Sequence, residues 1–425
     1  SGQGGVLDVL VDENLYLIET QGDLTLGSVE LTGTGSLGAF IVATTGSINA
    51  GAPTWGGRNI IGDAFYLVAA QDIGAAGAPI LARIDLLQTR SVQGSTHVDN
   101  DQALEVDDWA LGGLTVSAFA DPTAVGQIAG GDIVISASSP ITISADQTST
   151  SAPAAGVTTL GGDIIVIAND DADPEADFVL IAPGVTVEAD SGSVRIEAGD
   201  DFTLSAGARI LARDDVSIET DAGDADPATG DRLAIFGSIL TQAGDVDLLT
   251  GAAADVVIVA AGASVVAGRD ATIRTGAGED AVAVSGLVEA RGGDVAISLC
   301  GADDTLDVDG TLAASERIAV AGGAGEDRLT FTQAVLSAPE ILILGQADDD
   351  LIELDEMADI DGAATVSGGA GDDLIFIDRL STQDADDSLR LNGGAGADDI
   401  LILTHGSLTG RDEAVDYVID VSDSG

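Results

Sequence analysis

Short runs of alternating apolar and polar residues recur along the chain at a nearly fixed distance. In the C-terminal half each run opens on an aspartate, at Asp177, Asp200, Asp231, Asp255, Asp280, Asp304, Asp327, Asp350, Asp373 and Asp398. The residues two and four positions later are apolar: Val282 and Val284, Leu306 and Val308, Leu329 and Phe331, Ile352 and Leu354, Ile375 and Ile377, Ile400 and Ile402. Period two marks a half-buried strand. The intervals between aspartates are 23 to 25 residues, apart from one of 31 between Asp200 and Asp231. That is too short for a βαβ unit and too regular for a mixed globule, so the pattern predicts an all-β solenoid. Between Asp280 and Asp304 the segments AVAV, GLVEA and DVAISL are separated by glycine-containing corners. Each coil of about 23–25 residues therefore holds three short strands, the design of a parallel β-helix. Coils of this length favour the right-handed form. No period of 3.6 persists, so helix is not expected.

The same beat divides the chain into three stretches. Residues 1–110 carry looser coils, in LYLIET, GDLTLGSVELTGTG and DAFYLVAAQDIGAAGAPILARIDLLQT. Within them SVQGSTHVDNDQALEVDDWA, 91–110, breaks the alternation and reads as a protruding loop ending near Trp109, while Trp55 sits in a second irregular stretch. Residues 111–176 resume the pattern around a Ser/Thr/Ala/Pro-rich segment, 146–160, that reads as a surface loop. Residues 177–425 form the regular Asp/Gly-rich array, and the long interval before Asp231 reads as a corner insertion. At about 24 residues per coil the chain has room for roughly seventeen coils, a rod on the order of 80 Å at ~4.8 Å per coil.

Composition fits a narrow column better than a globule. The 425 residues include 56 glycines but only 3% aromatics. Small and branched side chains fill a thin interior, and glycine serves its corners. The net charge of −57, with 72 acidic residues against 15 arginines, repels nucleic acid and anionic membranes as partners. It also repels itself, since carboxylates about 5 Å apart cost each other ~1 kcal/mol even in water. Divalent cations, high salt or raised carboxylate pKa values would offset that. A single cysteine, Cys300, excludes an internal disulfide framework and falls at a corner. No run of eighteen apolar residues predicts a transmembrane helix, and no segment reads as a signal peptide.

The sharpest motif is glycine-aspartate. Residues 322–330, GGAGEDRLT, 368–376, GGAGDDLIF, and 393–401, GGAGADDIL, fit the pattern GGxGxDxUx, and Gly276–Asp280 is a partial copy. Glycines allow a tight turn and expose carbonyls, and the aspartate adds a hard oxygen, a combination that suits Ca²⁺. The alternative is a structural corner in which the aspartate satisfies local amides. These turns resemble the calcium-binding nonapeptides of the RTX family, although RTX rolls place them in tandem and here one occurs per coil. The resemblance implies calcium at a column formed by Asp280, Asp304, Asp327, Asp350, Asp373 and Asp398, with Glu279, Asp303, Glu326, Asp349 and Asp372 stacked beside it. In the N-terminal half, Gly22–Leu26, Gly46–Ala50 and Gly131–Ile135 resemble the haemagglutinin-type repeats of large bacterial adhesins.

Catalytic chemistry is thinly supplied. His97 and His405 are the only histidines and lie far apart; the acid pairs Asp107–Asp108 and Asp348–Asp349 arise by chance in so acidic a chain. Arg232, Arg274, Arg291, Arg317, Arg328 and Arg379 read as surface ion-pair partners. The resemblances imply a non-enzymatic structural or adhesive stalk segment of a secreted or surface-attached bacterial protein, extracellular, meeting a cell-surface or matrix component. Two alternatives remain. One is a surface-layer or fibre subunit that binds copies of itself, through outward apolar residues such as Leu374, Phe376 and Leu401. The other is a β-helical enzyme acting on polysaccharide.

Overall fold

The computed structural model describes residues 5–34, 37–106, 127–129, 131–138, 140–144, 155–169, 177–222, 229–355, 358–378, 381–382, 388–403 and 417–420. Among these residues every regular element is a strand, and no helix is long and apolar enough to cross a membrane. The chain divides into two compact units, Ser1–Asp214 and Asp215–Gly425. Each is a parallel β-solenoid, and together they hold about 14 turns. The average spacing predicts more turns because several coils are longer than it allows: paired positions lie 37 residues apart from Thr96 to Ile133, 31 from Ile133 to Ile164, 30 from Ile164 to Val194 and 30 from Val216 to Val246.

In the C-terminal unit one coil consists of Ala281–Val284, Leu287–Ala290 and Val295–Gly301. The next, Thr305–Val308, Thr311–Ala314 and Arg317–Ala324, lies directly on it, with Val282 opposite Leu306, Val288 opposite Leu312 and Val295 opposite Ile318. The in-register pairing carries the first inward column through Leu329, Ile352 and Ile375, each no more than 2% exposed. Burying a side chain of this kind stabilises by roughly 1.5–3 kcal/mol, and each is covered by the coils on either side. Three strands per coil do not persist to the end. In Val335–Ala347 and Asp359–Ala370 the second and third strands run together, with a register shift between Ser337 and Glu340. Pro339 lies at that shift, where its missing N–H is tolerated by the break in the ladder.

The N-terminal unit is built alike. Ile133–Ala137 pairs with Thr96–Asn100 on one side and Ile164–Ala168 on the other, and Ile164–Ala168 pairs onward with Val194–Ala198. The stretch 91–106 is therefore no protruding loop, contrary to its sequence pattern. Thr96–Asn100 and Leu104–Val106 are ladder strands, with His97 opposite Val134 and Leu104 opposite Ile141. The alternation is disguised by Asn100, a fully buried amide that holds the bend by accepting the Ile84 N–H and donating to the carbonyls of Ile84 and Gln102. The expected surface loop 146–160 likewise ends in a strand, Ala155–Thr159. Buried Asn59 works as Asn100 does, donating to Leu26, Gly27 and Gly51 carbonyls and accepting the Leu81 N–H.

Candidate functional site

The recurring aspartates stack at one corner of the C-terminal unit and point inward. Asp280, Asp304, Asp327, Asp350 and Asp373 are at most 3% exposed; Asp398, at the end of the row, is partly exposed. Their carboxylates bind across coils. The Asp280 N–H donates to Asp304 Oδ1 at 2.7 Å, Asp304 to Asp327 at 2.9 Å, Asp327 to Asp350 at 2.9 Å, Asp350 to Asp373 at 2.9 Å and Asp373 to Asp398 at 3.1 Å. The row extends backward through Asp255 and Asp231, whose N–H groups reach Asp280 and Asp255. Each carboxylate thus caps an amide of the coil before it, a buried donor that the corner would otherwise leave unpaired.

The glycines follow from this arrangement. A Cβ on Gly368 would lie 2.2 Å from Asp373 Oδ2, and one on Gly345 2.2 Å from Asp350 Oδ2. The first glycine of each motif is the wall against which the carboxylate rests. The second has a different reason: Gly369 has φ +128° and its Cβ would meet the Gln346 carbonyl. Where the motif lapses the corner still requires a positive φ, so Cys300, Ala302, Gln346 and Asp348 are held at φ of 76°, 103°, 96° and 75°. A side chain in this region costs on the order of 1–2 kcal/mol.

The neighbouring acidic row faces outward and binds in the opposite sense. Asp303 accepts the N–H of Glu326, Asp349 that of Asp372, and Asp372 that of Ala397, each in the following coil. A third row, at another corner, is not apparent from the aspartate period. In the C-terminal unit it comprises Asp215, Asp245, Asp270 and Asp294, each accepting or donating along the stack. In the N-terminal unit Asp23, Ser47, Asp72, Ser95, Asp132, Asp163 and Ser193 do the same. Its signal is the Gly-Asp or Gly-Ser pair before most of these strands, as at Gly22-Asp23, Gly46-Ser47 and Gly293-Asp294, hidden by the exchange of serine for aspartate and by the lack of a glycine before Asp72, Asp215 and Asp270.

Burial, with repulsion from neighbouring carboxylates, pushes the inward row toward the protonated form. The Asp304 and Asp350 carboxyls rise to about 7 and Asp327 to about 6; the capped amides pull the other way without prevailing. Asp280 and Asp373 are raised for the same reason. No arginine offsets them. By contrast Asp101 is held low: burial would raise it, but Arg83 and Arg58, both salt-bridged to it, outweigh that.

The row has the chemistry of a hard-cation site in one respect. Oδ2 of Asp304, Asp327, Asp350 and Asp373 is buried with no hydrogen-bond partner, in the glycine-walled corner. Since Oδ1 is committed to an amide, side chains supply one free oxygen per coil, and carbonyls of the glycine corners would have to complete the six to eight ligands of Ca²⁺. Among the described residues no three His, Cys, Asp or Glu side chains gather around one point.

The other candidates stay apart. His97 is buried beside Asp72 and Asp132, and desolvation lowers its pKa despite both charges. His405, Trp109, Arg379 and the Asp107–Asp108 pair lie outside the described residues, whereas Asp348 and Asp349 are exposed corner residues. Cys300 is partly buried at a corner. Arg291, Arg317 and Arg328 pair with Glu289, Asp294 and Glu353, as their positions predict, and Arg232 lies over the Phe236 ring. Leu374 and Leu401 do face outward, 37% and 47% exposed.

No protein-family model matches the sequence, and neither a curated protein nor a solved structure is similar to it.

Proposed function

We propose that the chain is a non-catalytic stalk segment of a secreted or surface-attached bacterial protein, a stiff acidic spacer that presents its loops to a cell-surface or matrix component. The observation that supports this reading is where the conspicuous residues are spent. Aspartate and serine, the usual material of a site, are used coil after coil to cap amides of the adjacent coil, and glycine to make room for the carboxylates. The inward row gains from Ca²⁺ at extracellular concentrations, through the unpartnered Oδ2 atoms of Asp304, Asp327, Asp350 and Asp373 with Asp280 and Asp398 at either side.

Two measurements test the reading. Calorimetry in Ca²⁺, in EDTA and in NaCl of matched ionic strength should give a saturable heat and a calcium-specific rise in melting temperature. Equal stabilisation by NaCl would leave charge screening alone and remove calcium from the reading. Incubation with a panel of polysaccharides should release no new reducing ends; release that survives repurification of the chain would replace the stalk with an enzyme.

A second reading, a self-assembling surface-layer or fibre subunit, is favoured by the outward leucines Leu374 and Leu401 in a chain whose charge should keep its surface polar.

A further inference from the structure

The outward face of one strand stack in the C-terminal unit carries an ordered sequence of side chains. Parallel pairing places Arg328, Leu351, Leu374 and Asp399 in one outward row, one coil apart. The adjacent row holds Thr330, Glu353, Phe376 and Leu401. Leu374 and Leu401 are exposed and Leu351 and Phe376 half-buried, so the two middle coils of the first row and the two last of the second form one apolar strip. Its ends are charged oppositely. Arg328 pairs with Glu353 but keeps 53% of its side chain exposed, and Asp399 is exposed at the far end.

From this order we infer that the strip is a contact between two copies of the chain lying face to face with their coils running in opposite directions. A two-fold axis across the face, midway between Leu351 and Leu374, sets each of these leucines on the other in the second copy. It also sets Arg328 against Asp399 of the second copy, and Asp399 against its Arg328. With coils ~4.8 Å apart, the charges sit about 14 Å apart on each copy and coincide on reversal. Side-by-side copies with coils in the same direction keep every coil at its own level, so Arg328 would face Arg328 or Thr330 of the second copy and Asp399 would face Asp399 or Leu401, and the opposite charges would never meet. Only reversal brings them together, which selects the antiparallel pair. Reversal also brings Thr330 to Leu401 and Glu353 to Phe376, with the Glu353 carboxylate drawn aside by Arg328. The strip is smaller than a standard interface, so the pairing is weak and favoured where salt screens the −57 charge. The inference rests on the self-assembly reading and narrows it to one surface.

Sedimentation velocity over a wide concentration range, in EDTA and NaCl of about 0.15 M, where repulsion beyond ~8 Å is screened but close charge pairs still act, tests it. The native chain should pass from monomer to dimer. Leu401→Asp should abolish the dimer, and Arg328→Asp or Asp399→Arg alone should weaken it about tenfold or more. Arg328→Asp combined with Asp399→Arg should restore it, because the reversed charges meet again; unfolding transitions establish that each variant is folded. Association untouched by these changes would overturn this surface while leaving self-assembly standing. Weakening without restoration by the double reversal would overturn the antiparallel arrangement. A chain that stays monomeric throughout would overturn both the surface and the self-assembly reading.

Discussion

Gly368→Ala isolates the fit between carboxylate and glycine at a single corner. Gly368 does not have a positive φ, unlike its neighbour Gly369, so alanine meets no backbone objection. With room to spare it would stabilise by about 0.4–1 kcal/mol through the unfolded chain. Here the new Cβ lies 2.2 Å from Asp373 Oδ2 and 2.5 Å from its Cβ and Cγ. The carboxylate must swing away, and its Oδ1 then releases the Asp350 N–H, a bond of 2.9 Å. An orphaned buried amide costs roughly 1–3 kcal/mol, and overpacking adds about 1–3 kcal/mol. The expected net loss, after the gain of the unfolded-chain term is subtracted, is about 1–5 kcal/mol, read from denaturant unfolding. Hydrogen exchange should show the Asp350 amide losing protection first, since unfolding of a repeat array need not be two-state. Asp373→Ala is also destabilising, but it empties the space that alanine at 368 needs, so the double variant should be more stable than the sum of the singles by about 1 kcal/mol or more. Strict additivity, or a Gly368→Ala protein as stable as the native one, would refute the reasoning.

One of the two coils in which the motif lapses offers the reverse change. Gln346→Gly and Asp348→Gly remove side chains from φ of 96° and 75°; relief of about 1–2 kcal/mol against a glycine entropy cost of about 0.5–1 kcal/mol predicts a rise in stability of several tenths of a kcal/mol to about 1 kcal/mol for each, and a fall in the denaturation midpoint would count against it. In EDTA the C-terminal unit should lose stability as pH rises from 4 to 7. The folded carboxyls of Asp304 and Asp350 titrate near 7, above the unfolded value of 3.8, so the folded state holds extra protons in that window and its advantage disappears as they leave. Each such carboxyl contributes up to about tenfold per pH unit to the unfolding constant. Asp350→Asn, which keeps an oxygen for the Asp327 amide and carries no charge, should flatten the slope and raise stability at pH 8; a slope unchanged by the substitution would assign the effect elsewhere.

The fold was legible wherever the interior is apolar. Val282, Leu306, Leu329, Ile352 and Ile375 announce their column because nothing but packing selects them. The aspartate row was legible as a period but not in its orientation. Spacing cannot tell an outward carboxylate from one that turns in to cap an amide a coil away, and Asp327 and Glu326, adjacent in sequence, do opposite things. Thr96–Asn100 was illegible because Asn100 puts an amide where the pattern demands an apolar residue. Its two hydrogen bonds with the Ile84 backbone exist only once the coils are stacked. The serine-for-aspartate exchange hid the third row for a similar reason, since either side chain can accept the same amide.

The polarity of the inward row makes growth of the stack directional. A folded array that ends at Asp327 leaves that residue's N–H facing the next coil, and the carboxylate that satisfies it arrives with Asp350. Each coil emerging later in the chain therefore finishes the one already in place and exposes a fresh donor of its own. Lengthening by a whole period keeps every donor matched to an acceptor, whereas lengthening by a fraction of one strands a buried amide. A molecule wired in this way can be extended in evolution one coil at a time, and it has reason to fold in the order in which it is made.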